Sequence, residues 1–293
     1  MKLHQITGKT SLVGLIGWPV SHSLSPRMHN VAFAEIEADF AYVPLPVQPE
    51  NVEQALKGLA ALNFVGANVT VPHKQAVMRY MDELSDAAQI TGAVNTIHIQ
   101  AGKYYGYNTD AHGFIKGMEE VGCSAKGMRV AVLGAGGAAR AVVFALARAE
   151  TDSIVVFNRT AERAAFLVDD LADAFPDISL KFEVLAADTL AGLDNAVDLV
   201  VNTTSLGMHP HIDTSPWPVD VPVPRSTIFY DLVYNPIETV FLRQARAAGL
   251  KTIDGLGMLV HQGAFAFEKW TGRPAPVEAM RQACMSGLAL ERG

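Results

Sequence analysis

The chain has 293 residues, 49% apolar and 18% charged, with a formal net charge of −7. The length suits one large domain or two ordinary ones, the apolar share supports a buried core rather than disorder, and the acidic balance argues against a nucleic-acid partner while leaving room for a local basic pocket for a small anion. No apolar run reaches the roughly 18 residues of a membrane span, M-K-L-H-Q-I-T-G-K-T at the N-terminus holds no apolar signal core, and Cys123 and Cys284 lie far apart without a metal-type partner, so a cytoplasmic protein with free thiols and no bound metal is expected.

The first half alternates strand and helix patterns. Ser11–Ile16 reads as a strand. It is followed by V-S-H-S-L-S-P-R-M-H-N, where Ser25 and Pro26 form an N-cap and first-position pair for a helix over Pro26–Glu37. Phe40–Pro44 reads as a strand, Glu50–Leu62 as a helix with Val52, Leu56 and Leu59 on one stripe, and Val65–Val69 as a strand. Pro72–Tyr80 is predicted to begin a helix with Pro72 at its first position. Val94–Ile99 and Lys103–Tyr107 flank Ala101-Gly102 as a hairpin.

The pattern restarts at Met128. R-V-A-V-L is a short strand running into G-A-G-G-A-A-R and an Ala-rich helix. Ser153–Phe157, Leu180–Leu185, Val197–Val201, Thr227–Asp231 and Lys251–Ile253 complete about six strands, with a helix over Ala161–Ala174; the residues from Met258 on are helical. The expected architecture is α/β in two domains: residues 1–110 with a mostly parallel sheet, a doubly wound Rossmann domain over 111–257, and C-terminal helices over 258–293 packing back on the first domain.

Three places carry chemistry. Gly134-x-Gly136-x-x-Ala139 lies between a strand and a helix, as a dinucleotide-binding turn requires. The next strand ends in Asn158-Arg159-Thr160 with Arg163 following, and no Asp or Glu stands at the strand end. A carboxylate there would repel a 2′-phosphate and a guanidinium would hold one, so NADP is favoured over NAD; the competing reading is an ordinary solvated helix start. Lys74, in V-G-A-N-V-T-V-P-H-K, is expected in the first turn of a helix, the disfavoured end for a cation. It is either a surface lysine or a general acid and base, and Thr70 could offer a hydroxyl to the same cavity. Asp110 either caps the helix after it or has a chemical role, and Asn95, an amide in an apolar strand, is bonded to backbone or faces a ligand.

S-H-S-L-S-P, N-V-T-V-P-H-K, G-A-V-N-T, N-T-D, G-A-G-G-A-A-R, N-R-T and D-G-L-G-M-L-V-H-Q-G-A occur in this order and cover nearly the whole chain. Together they resemble the shikimate dehydrogenase family, which includes the quinate/shikimate dehydrogenases. The resemblance implies reversible NADPH-dependent reduction of 3-dehydroshikimate to shikimate, within aromatic amino-acid biosynthesis. It implies that Ser23 and Ser25 bind the substrate carboxylate, and that Thr70, Asn95, Asp110, Tyr234 and Gln262 surround the ring and its hydroxyls. Lys74 would be the acid/base with Asp110 as its partner. Gly134, Ala135, Gly136, Gly137 and Ala138 would bind NADP with Asn158, Arg159, Thr160 and Arg163, and Leu232 and Gly255 would lie near the nicotinamide. Three positions depart from common family members: Tyr107 before N-T-D, Ala111 after it, and His73, whose charge could affect Lys74. A quinate/shikimate dehydrogenase using NAD or NADP and a non-catalytic sensor of shikimate-like acids are the alternatives; the assembly is expected to be a monomer or homodimer.

Overall fold

The structure, a computed structural model, describes residues 6–290; half of the N-terminal segment read for a signal core lies outside the described residues. The chain divides into two compact units. One holds the described residues up to Gly113 together with those from Val260 onward, the other Phe114–Leu259.

In the first unit β1 (Ser11–Gly17), α1 (Ser25–Glu35), β2 (Phe40–Pro46), α2 (Val52–Ala61), β3 (Phe64–Val69), β4 (Glu83–Leu84), α3 (Asp86–Thr91), β5 (Thr96–Gln100) and β6 (Lys103–Tyr107) follow in order. They form one sheet in the order β2-β1-β3-β5-β6-β4. β1, β2 and β3 are parallel, while β5 runs antiparallel to β3 and to β6. The turn joining β5 to β6 places Ala101 and Gly102 at φ 51° and 77°, the pair of positive angles a tight hairpin demands. Val52, Leu56 and Leu59 lie four and three residues apart, so one stripe of α2 is buried against Phe64, Ala67 and Val69 of β3.

α4 (Asp110–Glu120) carries the chain into the second unit. There β7 (Arg129–Leu133), α5 (Gly137–Arg148), β8 (Ser153–Asn158), α6 (Ala161–Ala172), β9 (Ser179–Val184), α7 (Ala187–Ala191), β10 (Leu199–Asn202), β11 (Ile228–Asp231), α8 (Val240–Ala247) and β12 (Thr252–Ile253) follow. Their sheet order is β12-β11-β10-β7-β8-β9 and every pairing is parallel. The order reverses beside β7, which marks the doubly wound arrangement and its switch point. α9 (Leu256–Thr271) and α10 (Val277–Leu290) return the chain to the first unit, where α10 packs against α1. A Cβ on Gly263 would lie 2.2 Å from Met28 Cε, and one on Gly287 2.8 Å from Leu24 Cδ2, so both helices lie close on α1. Among the described residues no helix is long and apolar enough to cross a membrane.

One predicted element does not form. Residues 71–77 make turns, with only a short 3-10 helix at Met78–Tyr80. The Lys74 carbonyl, which a helix would spend on the amide four residues on, accepts from Val94 N–H at 2.8 Å instead. Lys74 therefore stands in a turn, and the expected helix N-terminus at that position is absent.

Candidate active site

Lys74 and Asp110, 36 residues apart, meet in the first unit. Lys74 Nζ donates to Asp110 Oδ2 at 2.5 Å, with side chains 21% and 11% exposed. The turn after β3 presents the lysine, and the first residue of α4 presents the carboxylate, at the end of a helix that favours an anion. Asp110 is not the cap of that helix. Asn108 Oδ1 accepts from Asp110 N–H at 3.1 Å, which leaves the aspartate side chain free for other partners. Its second oxygen accepts from Asn95 Nδ2 at 2.8 Å.

Asn95 is buried, and its bonds go to side chains as well as backbone. Nδ2 also reaches Thr109 Oγ1 at 2.9 Å, and Oδ1 accepts from Thr109 N–H at 2.7 Å and from Thr96 Oγ1 at 3.1 Å. His73 does not turn towards Lys74. It is buried, and Nε2 meets the Val47 carbonyl at 2.7 Å, so the ring is spent on the β2 side of the turn.

At the start of α1 the cap expected at Ser25 does not form. The helix begins one residue early, with Leu24 at the N-cap and Ser25 already inside, and no side chain caps it. Ser23 Oγ instead accepts from Ser25 N–H at 3.2 Å, which leaves the Ser23 proton available to a ligand. Ser25 is buried and lies against the Tyr42 phenol. Thr70 sits at the end of β3, packed so closely over Gly17 that a Cβ there would come within 2.3 Å of Thr70 Cγ2. Gln262 lies half-buried on α9, in the same unit.

The remaining candidates belong to the second unit, Tyr234 among them. Gly134 follows β7 at φ 110°, and a Cβ on it would lie 2.7 Å from Thr203 Oγ1, so only glycine fits the turn. Ala135 stands between it and Gly136, the N-cap of α5. A Cβ on Gly136 or Gly137 would meet nothing within 4 Å, so the backbone there is open to a ligand, whereas Ala139 is fully buried against the sheet. Ala138 lies between them in the first turn of α5. At the end of β8, Asn158 Nδ2 bonds Thr160 O at 2.9 Å, and Arg159 and Arg163 are exposed. Neither arginine pairs with a carboxylate among the described residues. Gly255 packs on the Leu232 backbone, with a would-be Cβ only 2.2 Å from Leu232 O.

Three segments match sequence models: residues 15–97 the shikimate dehydrogenase substrate binding domain, 118–227 shikimate / quinate 5-dehydrogenase, and 255–285 the shikimate 5'-dehydrogenase C-terminal domain. The shikimate dehydrogenase (NADP(+)) of Moorella thermoacetica is 47% identical over 99% of this chain and 97% of its own. The chain belongs to the shikimate dehydrogenase family. A solved shikimate dehydrogenase in complex with NADP+ superposes with a TM-score of 0.90 at 41% identity, covering 97% of this chain and 98% of that one. The shikimate 5-dehydrogenase of Listeria monocytogenes, in complex with shikimate and NAD, gives 0.89 at 34% identity, covering 96% and 98%.

In this member of the shikimate dehydrogenase family several polar residues around the candidate site carry no role in the sequence reading, although all but Tyr42 stand within its motifs. Tyr42, Asn68, Thr96, Asn108 and Thr109 are all buried and all bonded to one another or to Asn95 and Asp110. Asp231 was read only as a strand end. It is fully buried where β11 stops, it accepts from Asn202 Nδ2, Val233 N–H and Thr239 Oγ1, and burial pushes its carboxyl up to about 6 against those bonds. Buried polar residues within short apolar strands are the signal that could have found both groups.

Proposed function

We propose that this protein interconverts 3-dehydroshikimate and shikimate, with Lys74 as the proton donor and acceptor and NADP as its cofactor. The observation that carries the reading is the 2.5 Å contact between Lys74 and Asp110, held by Asn95, in a chain of this family. NADP supplies the hydride donor in one direction and the hydride acceptor in the other. As the carbonyl is reduced, the Lys74 ammonium gives a proton to the developing alkoxide; in the reverse direction the amine takes the hydroxyl proton. Asp110 holds the lysine in place and accepts from the neighbouring substrate hydroxyl. The partial exposure of Lys74 lets water restore its proton between turnovers.

Ser23 and Ser25 hold the substrate carboxylate beside the N-terminus of α1, where free amides and the helix dipole favour an anion. Thr70, Gln262 and Tyr234 complete the shell around the ring. Asn95 acts by fixing Asp110, because both of its amide protons are committed. Gly134–Ala138 accept the pyrophosphate, Arg159 and Arg163 the 2′-phosphate, and Leu232 and Gly255 lie beside the nicotinamide. The buried thiols and the acidic net charge support a reducing cytoplasm and no nucleic-acid partner, with the chain working as a monomer or homodimer.

Lys74→Ala is expected to lose about 10²- to 10⁴-fold in turnover with shikimate while NADP binding is retained. Turnover near that of the wild type would overturn the reading. Two small serines leave room for the extra hydroxyl of quinate, so steady-state rates belong in a matrix of shikimate and quinate against NADP and NAD. A clear preference for quinate with NAD would overturn the role given to Arg159, and no turnover in any cell of the matrix would leave a sensor of such acids.

A further inference from the structure

Tyr42 is fixed in place more firmly than its position in β2 requires. Asn30 of α1 clamps its backbone from both sides: Asn30 Oδ1 accepts from Tyr42 N–H and Asn30 Nδ2 donates to Tyr42 O, each at 2.8 Å. The ring of His29, one residue earlier, stacks on the phenol at 4.5 Å between centroids and 2° between planes, and Trp270 closes on it at 6.1 Å. Tyr42 and His29 are 2% and 0% exposed. The hydroxyl at the end of this clamp points away from solvent and donates to Asn68 Oδ1 at 2.8 Å.

From Asn68 an unbroken series of donors runs to the acid/base pair. Asn68 Nδ2 donates to Thr96 Oγ1 at 3.0 Å, Thr96 Oγ1 to Asn95 Oδ1 at 3.1 Å, and Asn95 Nδ2 to Asp110 Oδ1 at 2.8 Å. The other oxygen of Asp110 holds Lys74. In this arrangement every link faces the carboxylate, with the Thr96 hydroxyl also 3.2 Å from Thr109 Oγ1 and the Tyr42 phenol also bonded to Ser25. Bonds aligned in this way polarise and strengthen one another.

We propose that Tyr42 is a positioning residue for the Lys74–Asp110 pair, acting through Asn68, Thr96 and Asn95. Without the phenol proton, Asn68 Oδ1 is left buried and unpaired, which costs enough to make the amide turn. The Thr96 hydroxyl is then the nearest donor to relieve it. A Thr96 proton given to Asn68 is withdrawn from Asn95, and the carboxamide that fixes Asp110 loses one of its restraints. Tyr42 sets the geometry of the group that orients the lysine, and its bond to Ser25 is a separate contact on the other side of the phenol. The inference deepens the proposed dehydrogenase reading and rests on it only for its kinetic consequence.

Tyr42→Phe keeps the stacked ring and removes one hydroxyl. Two measurements on the full chain test the proposal. In the free protein, hydrogen exchange of the Asn95 side-chain amide, followed by NMR, should accelerate at least about tenfold while the backbone amides of β3 and β5 keep their protection. In shikimate oxidation with NADP, kcat should fall about 10- to 100-fold, as for a misplaced catalytic group, beyond any change in KM that Ser25→Ala alone produces. Tyr42→Phe added to Asn68→Ala should then cost nothing further. An unchanged Asn95 exchange rate, or losses that multiply in the double variant, would overturn the proposal. Absence of shikimate turnover in the wild type would sink the dehydrogenase reading alone, because the exchange measurement needs no substrate.

Discussion

Asp231→Asn is expected to erase a pH-dependent part of the stability of the Phe114–Leu259 unit. The carboxyl is fully buried and its folded-state value, about 6, stands above the ordinary 3.8 because burial disfavours the ion. A proton is therefore held more tightly folded than unfolded. The stabilisation is fully present below the unfolded value and is lost as pH rises through about 6. The gap of 6 less 3.8 corresponds to about 3 kcal/mol at 1.36 kcal/mol per unit. Asparagine mimics the protonated acid and does not titrate. Trp217, buried and bonded to Val221 O at 3.0 Å, is the sole tryptophan of this unit, so its fluorescence in a Trp18→Phe/Trp270→Phe background follows this unit's urea unfolding. Between pH 4 and pH 8 the wild-type midpoint should fall relative to the variant by about 1–2 M urea. Midpoints that stay parallel across that range would refute the assignment of a raised, uncompensated carboxyl at position 231.

Two further outcomes follow from the second unit. Gly255→Ala places a methyl 2.2 Å from Leu232 O, 2.5 Å from Leu232 C and 2.8 Å from Val233 O, all backbone atoms that cannot swing aside. Overpacking of about 1–3 kcal/mol should lower the unit's thermal midpoint by several degrees in calorimetry and weaken NADP binding through the displaced Leu232; a midpoint within one degree of the wild type would contradict it. Arg159→Gln should raise KM for NADP about 10- to 100-fold, the loss of one charge-assisted bond, and leave KM for NAD nearly unchanged. Equal effects on both cofactors would place the 2′-phosphate elsewhere.

Elements whose signal is local were legible in the sequence. The stripe Val52, Leu56, Leu59 and the turn Ala101-Gly102 need only their own neighbours, and both form as read. Residues 72–80 carry an equally local helix signal, but Val94, some twenty residues on, takes the Lys74 carbonyl and the turn prevails. The cap expected at Ser25 misses by a single position, because the helix starts one residue before its proline-based cue. The site was legible in part. Lys74, Asn95 and Asp110 stand in recognisable motifs, and so do Asn68 and Thr96, but with Tyr42 these two lie on three strands that do not reveal, one at a time, that their polar groups meet. Only the order β2-β1-β3-β5 brings their polar ends within reach of one another. Asp231 escaped for a different reason: a carboxylate at a strand end is ordinarily solvated, and its burial is a property of the packed unit.

The packing of α10 on α1 ties the first unit to the order in which the chain is made. α1, which carries Ser23's neighbours and the clamp on Tyr42, cannot cover its outer face until Val277–Leu290 has left the ribosome. The whole of Phe114–Leu259 is synthesised in between. Once Leu259 has been made the second unit has every residue it needs, and the 31 residues from there to Leu290 take about 2–6 s more at roughly 5–20 residues per second, during which the first unit is still incomplete. The unit that binds the dinucleotide in the proposed scheme is thus free to fold first, and the acid/base pair is completed last.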